Sequence, residues 1–312
     1  MNTDLSPEAV EYGRTAWRAL DAAGGDDLAR APAAGGDGGS AAAKVLDGLG
    51  AWHLDPRGSA EELEAAAALC RSAGWWAVPH PVAERLARPR DVEADALVVV
   101  SGSRPPAAVA AAVAGLGLRW LAADLGGRRS LATLRPVTAP AGTATVAVAV
   151  DLVPLDDRGA GDVGLGLVLP CWTLLGMLDR AVELTCGYVR ARRQFGQPLS
   201  SFQGVQFQLT DAEVERLGVE EVAKHALWSV ATGRPDAVAD ALALRLAAVE
   251  AAEVVFRVTH QLHGAIGFCD ETALSWLSRA SQPLRRLPLG PSATRAALTD
   301  HLGRRGLTGL FS

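Results

Sequence analysis

Between Arg192 and Gln208 the chain reads Arg-Arg-Gln-Phe-Gly-Gln-Pro-Leu-Ser-Ser-Phe-Gln-Gly-Val-Gln-Phe-Gln. Arg192 carries a planar guanidinium whose fixed fork of N–H donors suits a pyrophosphate. Gln194 and Gln203 add amide donors, and Phe195 stands between them. Gly196 tolerates positive φ and Pro198 cannot continue a helix, so the chain must stop and turn here. Ser200 followed three residues later by Gln203 matches a capping box, so a helix restarts, and that cap alone could account for Gln203. A second run, Gln261-Leu-His-Gly-Ala-Ile-Gly-Phe268, places small residues at Gly264, Ala265 and Gly267, where backbone N–H groups can come close to a phosphate. Gln261 offers both a donor and an acceptor. Taken by itself, this second run also reads as a C-cap between two helices. His260 and His263 lack a partner pattern and read as groups that pack or hydrogen-bond. Gly164-Leu-Gly166 lacks the third glycine of a dinucleotide-binding loop and carries no such reading.

Long amphipathic segments must hold these corners in place. Leu174, Leu178, Val182, Thr185 and Val189 form one stripe, which predicts a helix from about 167 to 193. A second helix follows from 201 to 232, ended by Gly233. A third is capped by Asp236 and runs to about His263. Asp270 or Glu271 then opens a shorter helix ending near Pro283. Three long helices with short connections predict an antiparallel bundle. Upstream, Leu97–Val100, Leu118–Ala122 and Thr145–Val150 are strand-like. Residues 6–30 read as a helix with Pro7 in its first turn and Val10, Ala16, Trp17 and Leu20 on one side. Ala31 to Ser40 is a flexible loop by composition. Ser59 with Glu62 opens a helix over 59–72. Trp75-Trp76 reads as core in preference to a contact surface. The fold class is therefore mainly α with a small β middle domain: a reduced helical region over 1–90, a degenerate β unit over 91–157 and a C-terminal helical bundle over 158–312.

Composition narrows the function classes. The chain has 312 residues, 49% of them hydrophobic, which excludes a disordered or fibrous protein. A net charge of −5 and a pI near 5.7 argue against nucleic acid as a partner. Cys70, Cys171, Cys186 and Cys269 show neither metal spacing nor a Cys-x-x-Cys pair, which suits a reduced, cytoplasmic protein. The N-terminus lacks a signal-peptide pattern. The longest apolar run, Val163 to Leu178, is interrupted by Pro170 and reads as too short to span a bilayer.

The pattern Arg192-x-x-Phe195-Gly196 followed by Phe202-Gln203 resembles the corner between two C-terminal helices of the acyl-CoA dehydrogenases. The run Gln261-x-x-Gly264-Ala265-x-Gly267 resembles that family's Gln-x-x-Gly-Gly-x-Gly turn, with alanine at the second glycine. The resemblance covers roughly 165 to 290, and the order helix, β unit, bundle is also the family's. It implies FAD as cofactor, with the arginine and the glycine turn serving the pyrophosphate and adenosine half of a neighbouring subunit's flavin. The implied cofactor-binding residues are Arg192, Gln194, Phe195, Gln203, Gln261, Gly264 and Ala265.

The departures are equally informative. Family members abstract the substrate α-proton with a glutamate whose pKa is raised by burial. In most it lies about twenty-one residues past the last glycine of the turn, which here is Pro288. In a minority it lies about twenty-six residues before the arginine, which here is Gly166. The strands that hold the flavin ring have no counterpart in 91–157, where Trp120-Leu-Ala-Ala-Asp124 is a remote echo. Residues donated to a neighbour's flavin are retained, while those serving the chain's own flavin are missing. The resemblance thus implies a shortened subunit of a heteromeric acyl-CoA dehydrogenase, without its own catalytic base. Its expected partners are a longer subunit carrying the glutamate and an acyl-CoA substrate, with no nucleic acid or membrane. Two alternatives remain: a self-sufficient homomeric enzyme with a relocated base at Asp162 or Glu271, or a flavin-free structural, regulatory or repurposed member.

Overall fold

The computed structural model describes residues 3–30, 38–102, 106–136, 146–159 and 161–305. Most of the Ala31–Ser40 loop and the first residue of the expected Thr145–Val150 strand lie outside these ranges. The chain opens with α1 (Pro7–Ala22), α2 (Asp27–Arg30), α3 (Gly38–Gly48), α4 (Ala60–Trp75) and α5 (Val82–Leu86). Ser6 caps α1, its hydroxyl accepting from the Ala9 N–H at 3.3 Å. The helix expected over 6–30 is broken because Gly24 and Gly25 adopt φ of +135° and +54°. Its buried side is Ala9, Gly13, Ala16 and Leu20, whereas Val10 faces solvent. Ser59 caps α4 by accepting from the Glu62 N–H at 3.1 Å. The Glu62 carboxylate instead accepts from the Asp55 N–H at 2.7 Å, so only half of a capping box forms. Trp76 is buried, and Trp17 lies against both Trp75 and Trp76 with ring centroids 6.1 and 5.2 Å away.

A five-stranded sheet follows: β1 (Ala96–Val100), β2 (Ala107–Ala110), β3 (Trp120–Asp124), β4 (Arg128–Leu134) and β5 (Ala147–Arg158), in the order β1-β3-β4-β5-β2. β1 pairs parallel with β3, and the other pairings are antiparallel. Sequence pattern missed β2, which is mostly alanine, and β4, whose arginines and serine hide its alternation. Every residue of β1 is buried. Successive side chains point to opposite faces, so Leu97 and Val99 join the helical core while Ala96, Val98 and Val100 join a second core within the β unit.

The remainder is helical: α6 (Asp162–Ala191), α7 (Gln203–Ala231), α8 (Ala237–His263), α9 (Ala273–Arg286) and α10 (Pro291–Arg305), the last not anticipated from sequence. The stripe Leu174, Leu178, Val182, Thr185 and Val189 is buried as expected. Pro170 lies inside α6 and does not end it. A proline there costs about 3 kcal/mol, which burial of the surrounding Leu167, Val168, Leu169, Cys171 and Trp172 outweighs. α6 is long and apolar enough to cross a membrane, contrary to the sequence expectation, but 67% of its most apolar window is buried inside the protein. It is the core helix. α4 crosses it at backbone contact: a Cβ on Gly74 would lie 1.9 Å from the Thr173 carbonyl, and one on Gly176 1.9 Å from the Arg71 carbonyl.

Two helix starts differ from expectation. α7 begins after a short 3-10 turn with Phe202 at its N-cap and no side-chain cap, so the Ser200–Gln203 capping box is absent. Gln206 donates to the Ser200 carbonyl instead, at 2.9 Å. α9 is capped at Thr272, not Asp270 or Glu271, and continues three residues past Pro283. Gly233, at φ +61°, ends α7 as anticipated, and Asp236 stands at the N-cap of α8.

Candidate functional site

The α6–α7 corner is a minimal hairpin. Two-residue strands β6 (Arg193–Gln194) and β7 (Gln197–Pro198) pair antiparallel, with Phe195 and Gly196 at the tip at φ +52° and +82°. Two successive positive φ values are what a tight type I′ connection requires. Glycine adopts such a value at no steric cost, but phenylalanine is strained there. Phe195 is nonetheless 90% exposed and packs only its edge on Phe202, at 6.2 Å. Strain held at an exposed position is a pointer to a functional contact.

The glycine turn lies at the same end of the bundle. Tyr188, one turn before Arg192, stacks on His263 with ring centroids 4.4 Å apart. His263 Nδ1 lies 2.8 Å from the Thr259 carbonyl, and His260 stacks on Phe268 at 4.3 Å, so both histidines pack and His263 also hydrogen-bonds. The structure therefore brings both motifs together. Arg192, Gln194, Phe195, Gln203, Gln261, Gly264 and Ala265 are all exposed. Among the described residues, the side chains of Arg192, Gln194, Gln203 and Gln261 have no hydrogen bond or ion pair. Without the capping box, Gln203 is free to bind something else.

The glycines divide their roles. Gly264 ends α8 at φ +65°, ψ −147°, while a Cβ there would meet nothing within 4 Å, so its need is conformational. Gly267 is buried, and a Cβ on it would lie 2.9 Å from His263 Cβ. It is a packing residue, not part of a phosphate cradle as its sequence context implied.

The two sequence positions for a catalytic base also meet in space. Gly166 and Pro288 line one cavity of about 500 Å³ between α5, β1, β2, α6 and α9. A Cβ on Gly166 would lie 2.7 Å from Val99 Cγ2, so α6 rests on β1 there without room for a side chain. The Pro288 segment is braced by Arg245, fully buried in α8, which donates to the carbonyls of Leu284 and Leu289, the latter at 3.0 Å.

Neither alternative base reaches this cavity. Asp162 is buried at the start of α6, with its two oxygens 2.7 Å from Arg129 Nε and 2.9 Å from Arg57 Nη2. Arg129 also pairs with Asp91 and Asp157. That cluster joins α6 to the sheet and to the segment before α4, and its role is structural. Glu271 is exposed on the turn before α9. The carboxylate that does line the cavity is Glu84 on α5, which sequence reasoning missed. Burial pushes its carboxyl up to about 7, with only its own backbone N–H opposing the shift. His80, on the same wall, is pushed down to about 4, first by burial and then by Arg85. No motif announces Glu84: the Pro81-Val-Ala-Glu-Arg85 stretch reads as an ordinary helix start.

Comparisons with known proteins bear on both sites. Residues 168–297 match the model of the acyl-CoA dehydrogenase C-terminal domain. The acyl-CoA dehydrogenase FadE28 of Mycobacterium tuberculosis is 33% identical over 117 residues, which is 38% of this chain and 34% of that protein. The match thus spans about a third of the curated relative's length. Among solved structures, a chain of the ChsE4-ChsE5 complex from Mycobacterium tuberculosis superposes with a TM-score of 0.73 at 18% identity, covering 98% of this chain and 100% of that one. A chain of the Tcur3481-Tcur3483 steroid ACAD G363A variant superposes with a TM-score of 0.70 at 18% identity, covering 95% of this chain and 98% of that one. These likenesses establish a shared fold.

Proposed function

We propose that this chain is a member of the acyl-CoA dehydrogenase family and a soluble, cytoplasmic subunit serving a cofactor held mainly by another chain. Its longer partner carries the catalytic glutamate, and the pair dehydrogenates an acyl-CoA thioester between the α and β carbons. FAD supplies the hydride acceptor when bound. This chain's residues would serve the pyrophosphate and adenine end: Arg192 would hold the phosphates, Gln194, Gln203 and Gln261 would donate amide hydrogen bonds, Phe195 would cover an apolar edge, and Gly264 and Ala265 would let the backbone come close.

The observation that carries this reading is a separation within one molecule. The cofactor-type donors are unpaired and point outward at one bundle end, whereas the chain's own cavity presents Gly166 and Pro288 where a base would stand. Fit of the donor set to a pyrophosphate is supported by charge, since Arg190, Arg192 and Arg193 gather at the C-terminus of α6, where the helix dipole favours cations. Similarity to chains of the ChsE4-ChsE5 and Tcur3481-Tcur3483 complexes supports pairing of unlike subunits and a bulky acyl group.

The test is the flavin absorbance spectrum of the chain purified alone and together with a longer acyl-CoA dehydrogenase subunit. Flavin in the mixture only is the expected result. Flavin retained by the single chain would show a self-sufficient homomeric enzyme, and flavin in neither would show a structural subunit.

A further inference from the structure

The inner cavity carries more than Gly166 and Pro288 at the sequence positions expected for a base. Its wall is mostly apolar, formed by Leu97, Val99, Leu167 and Met177 among others, yet two polar groups, His80 and Glu84, stand four residues apart on it. An Arg85 Nη1 lies 2.9 Å from His80 Nε2. A guanidinium can only donate, so Nε2 accepts, and the single proton of the neutral ring is on Nδ1. That Nδ1 is buried and has no partner. The ring is held in place by Trp52, whose centroid is 5.5 Å away and which also carries the Arg85 guanidinium 3.5 Å above it. The second group is Glu84. Among the described residues its carboxylate has no cation beside it and no side-chain hydrogen bond.

A buried donor or acceptor left without a partner costs about 1–3 kcal/mol. Here the unpartnered His80 donor shares one wall with the Glu84 carboxylate, whose own backbone N–H leaves acceptor sites over. Of the other buried charge, Arg245, the two Nη groups are occupied by the carbonyls of Leu284 and Leu289, which leaves only Nε without a partner. Anionic ligands are disfavoured next to Glu84, and a pure hydrocarbon would leave the His80 donor unsatisfied. A hydroxyl is the smallest group that satisfies both, since its oxygen accepts from the His80 Nδ1–H while its proton goes to the Glu84 carboxylate. Cavities of about 300–1,000 Å³ enclose drug-sized molecules, and about 500 Å³ is ample for a cyclic or branched skeleton.

We propose that this cavity is a ligand-holding, non-redox site for a bulky apolar alcohol whose hydroxyl bridges His80 and Glu84. The site goes beyond the cofactor role proposed above and does not depend on it, because neither flavin nor a partner chain takes part.

The test compares cyclododecanol with cyclododecane, both carried in cyclodextrin, by calorimetric titration of the full chain alone. One hydrogen bond to a charged group corresponds to roughly ten- to a hundredfold in affinity. The alcohol is expected to bind at least about tenfold more tightly than the hydrocarbon. Glu84→Leu and His80→Phe, the latter keeping the ring against Trp52, should each bring the two ligands to within about twofold while hydrocarbon binding persists. Persisting hydrocarbon binding shows that the pocket still folds. Equal affinity for both ligands in the parent chain, no binding of either, or an alcohol preference that survives in both variants would overturn the proposal. None of these outcomes touches the flavin reading, whose test uses a different ligand at the opposite end of the bundle corner.

Discussion

At the scale of single residues, Arg192 and Glu84 exemplify opposite uses of charge. Arg192 is exposed and unpaired, so its value lies in geometry. Arg192→Lys replaces a fork by a point charge, removing one charge-assisted hydrogen bond, and flavin affinity of the assembled complex should fall roughly ten- to a hundredfold. Unchanged occupancy in a flavin titration would count against the corner as a phosphate site. Glu84 and His80 are half-buried and mutually opposed in their response to acid. The Glu84 pKa rises from the ordinary 4.5 to about 7, so its contribution to stability is present below about 4.5 and lost as pH rises towards 7. The His80 pKa falls from 6.5 to about 4, so its contribution is present above about 6.5 and lost as pH falls towards 4. Over the shared window the two slopes oppose each other. Glu84→Gln removes only the first, so the variant should gain stability relative to the parent between about pH 4.5 and 7. Urea denaturation across that range measures it, and a pH-independent difference would show that Glu84 is not held protonated by burial.

At the scale of elements, the α4–α6 crossing and the α6–α7 corner show which features were legible. The corner was, because Arg192, Phe195, Gly196 and Gln203 form a pattern read along one stretch of chain. The capping box was legible too, but wrong: a 3-10 turn through Leu199–Ser201 moved the helix start to Phe202, and only three-dimensional geometry decides between two local hydrogen-bond schemes. Pro170 misled for the same reason, since tertiary burial outweighs a local helix breaker. Glu84 was illegible because its chemistry comes from β1, α6 and α9 closing around it, all remote in sequence. The crossing glycines were equally hidden. Gly176→Ala should destabilise by about 3 kcal/mol or more, because a methyl group there meets the Arg71 backbone. Gly187→Ala in the same helix, where a Cβ meets nothing within 4 Å, should instead stabilise by up to about 1 kcal/mol. Equal effects of the two substitutions in chemical denaturation would show that the helices can separate to accommodate the extra carbon.

For the whole molecule, the proposed subunit role carries a prediction of catalytic dependence. Acyl-CoA-dependent reduction of an artificial electron acceptor should be absent with this chain alone and should rise when a partner carrying the glutamate is mixed in. General-base catalysis is worth about a hundred- to ten-thousandfold, so the contrast is large. Pro288→Glu should not restore turnover to the lone chain if, as the sequence leads us to expect, residues 91–157 do not hold a flavin ring. Robust turnover by the lone chain would sink the subunit reading, and Glu84 would then be the first residue to replace.

The exposed rim of the cofactor corner has a colloidal consequence. Phe195, Phe207, Ile266 and Phe268 stand uncovered near that bundle end, at 90%, 60%, 44% and 67% exposure. A surface with one greasy pole behaves as an amphiphile, and poles of this kind associate with one another when nothing caps them. Solubility then becomes a matter of stoichiometry. Molecules matched by a partner are capped, and the unmatched surplus, more than the total amount made, sets how much precipitates.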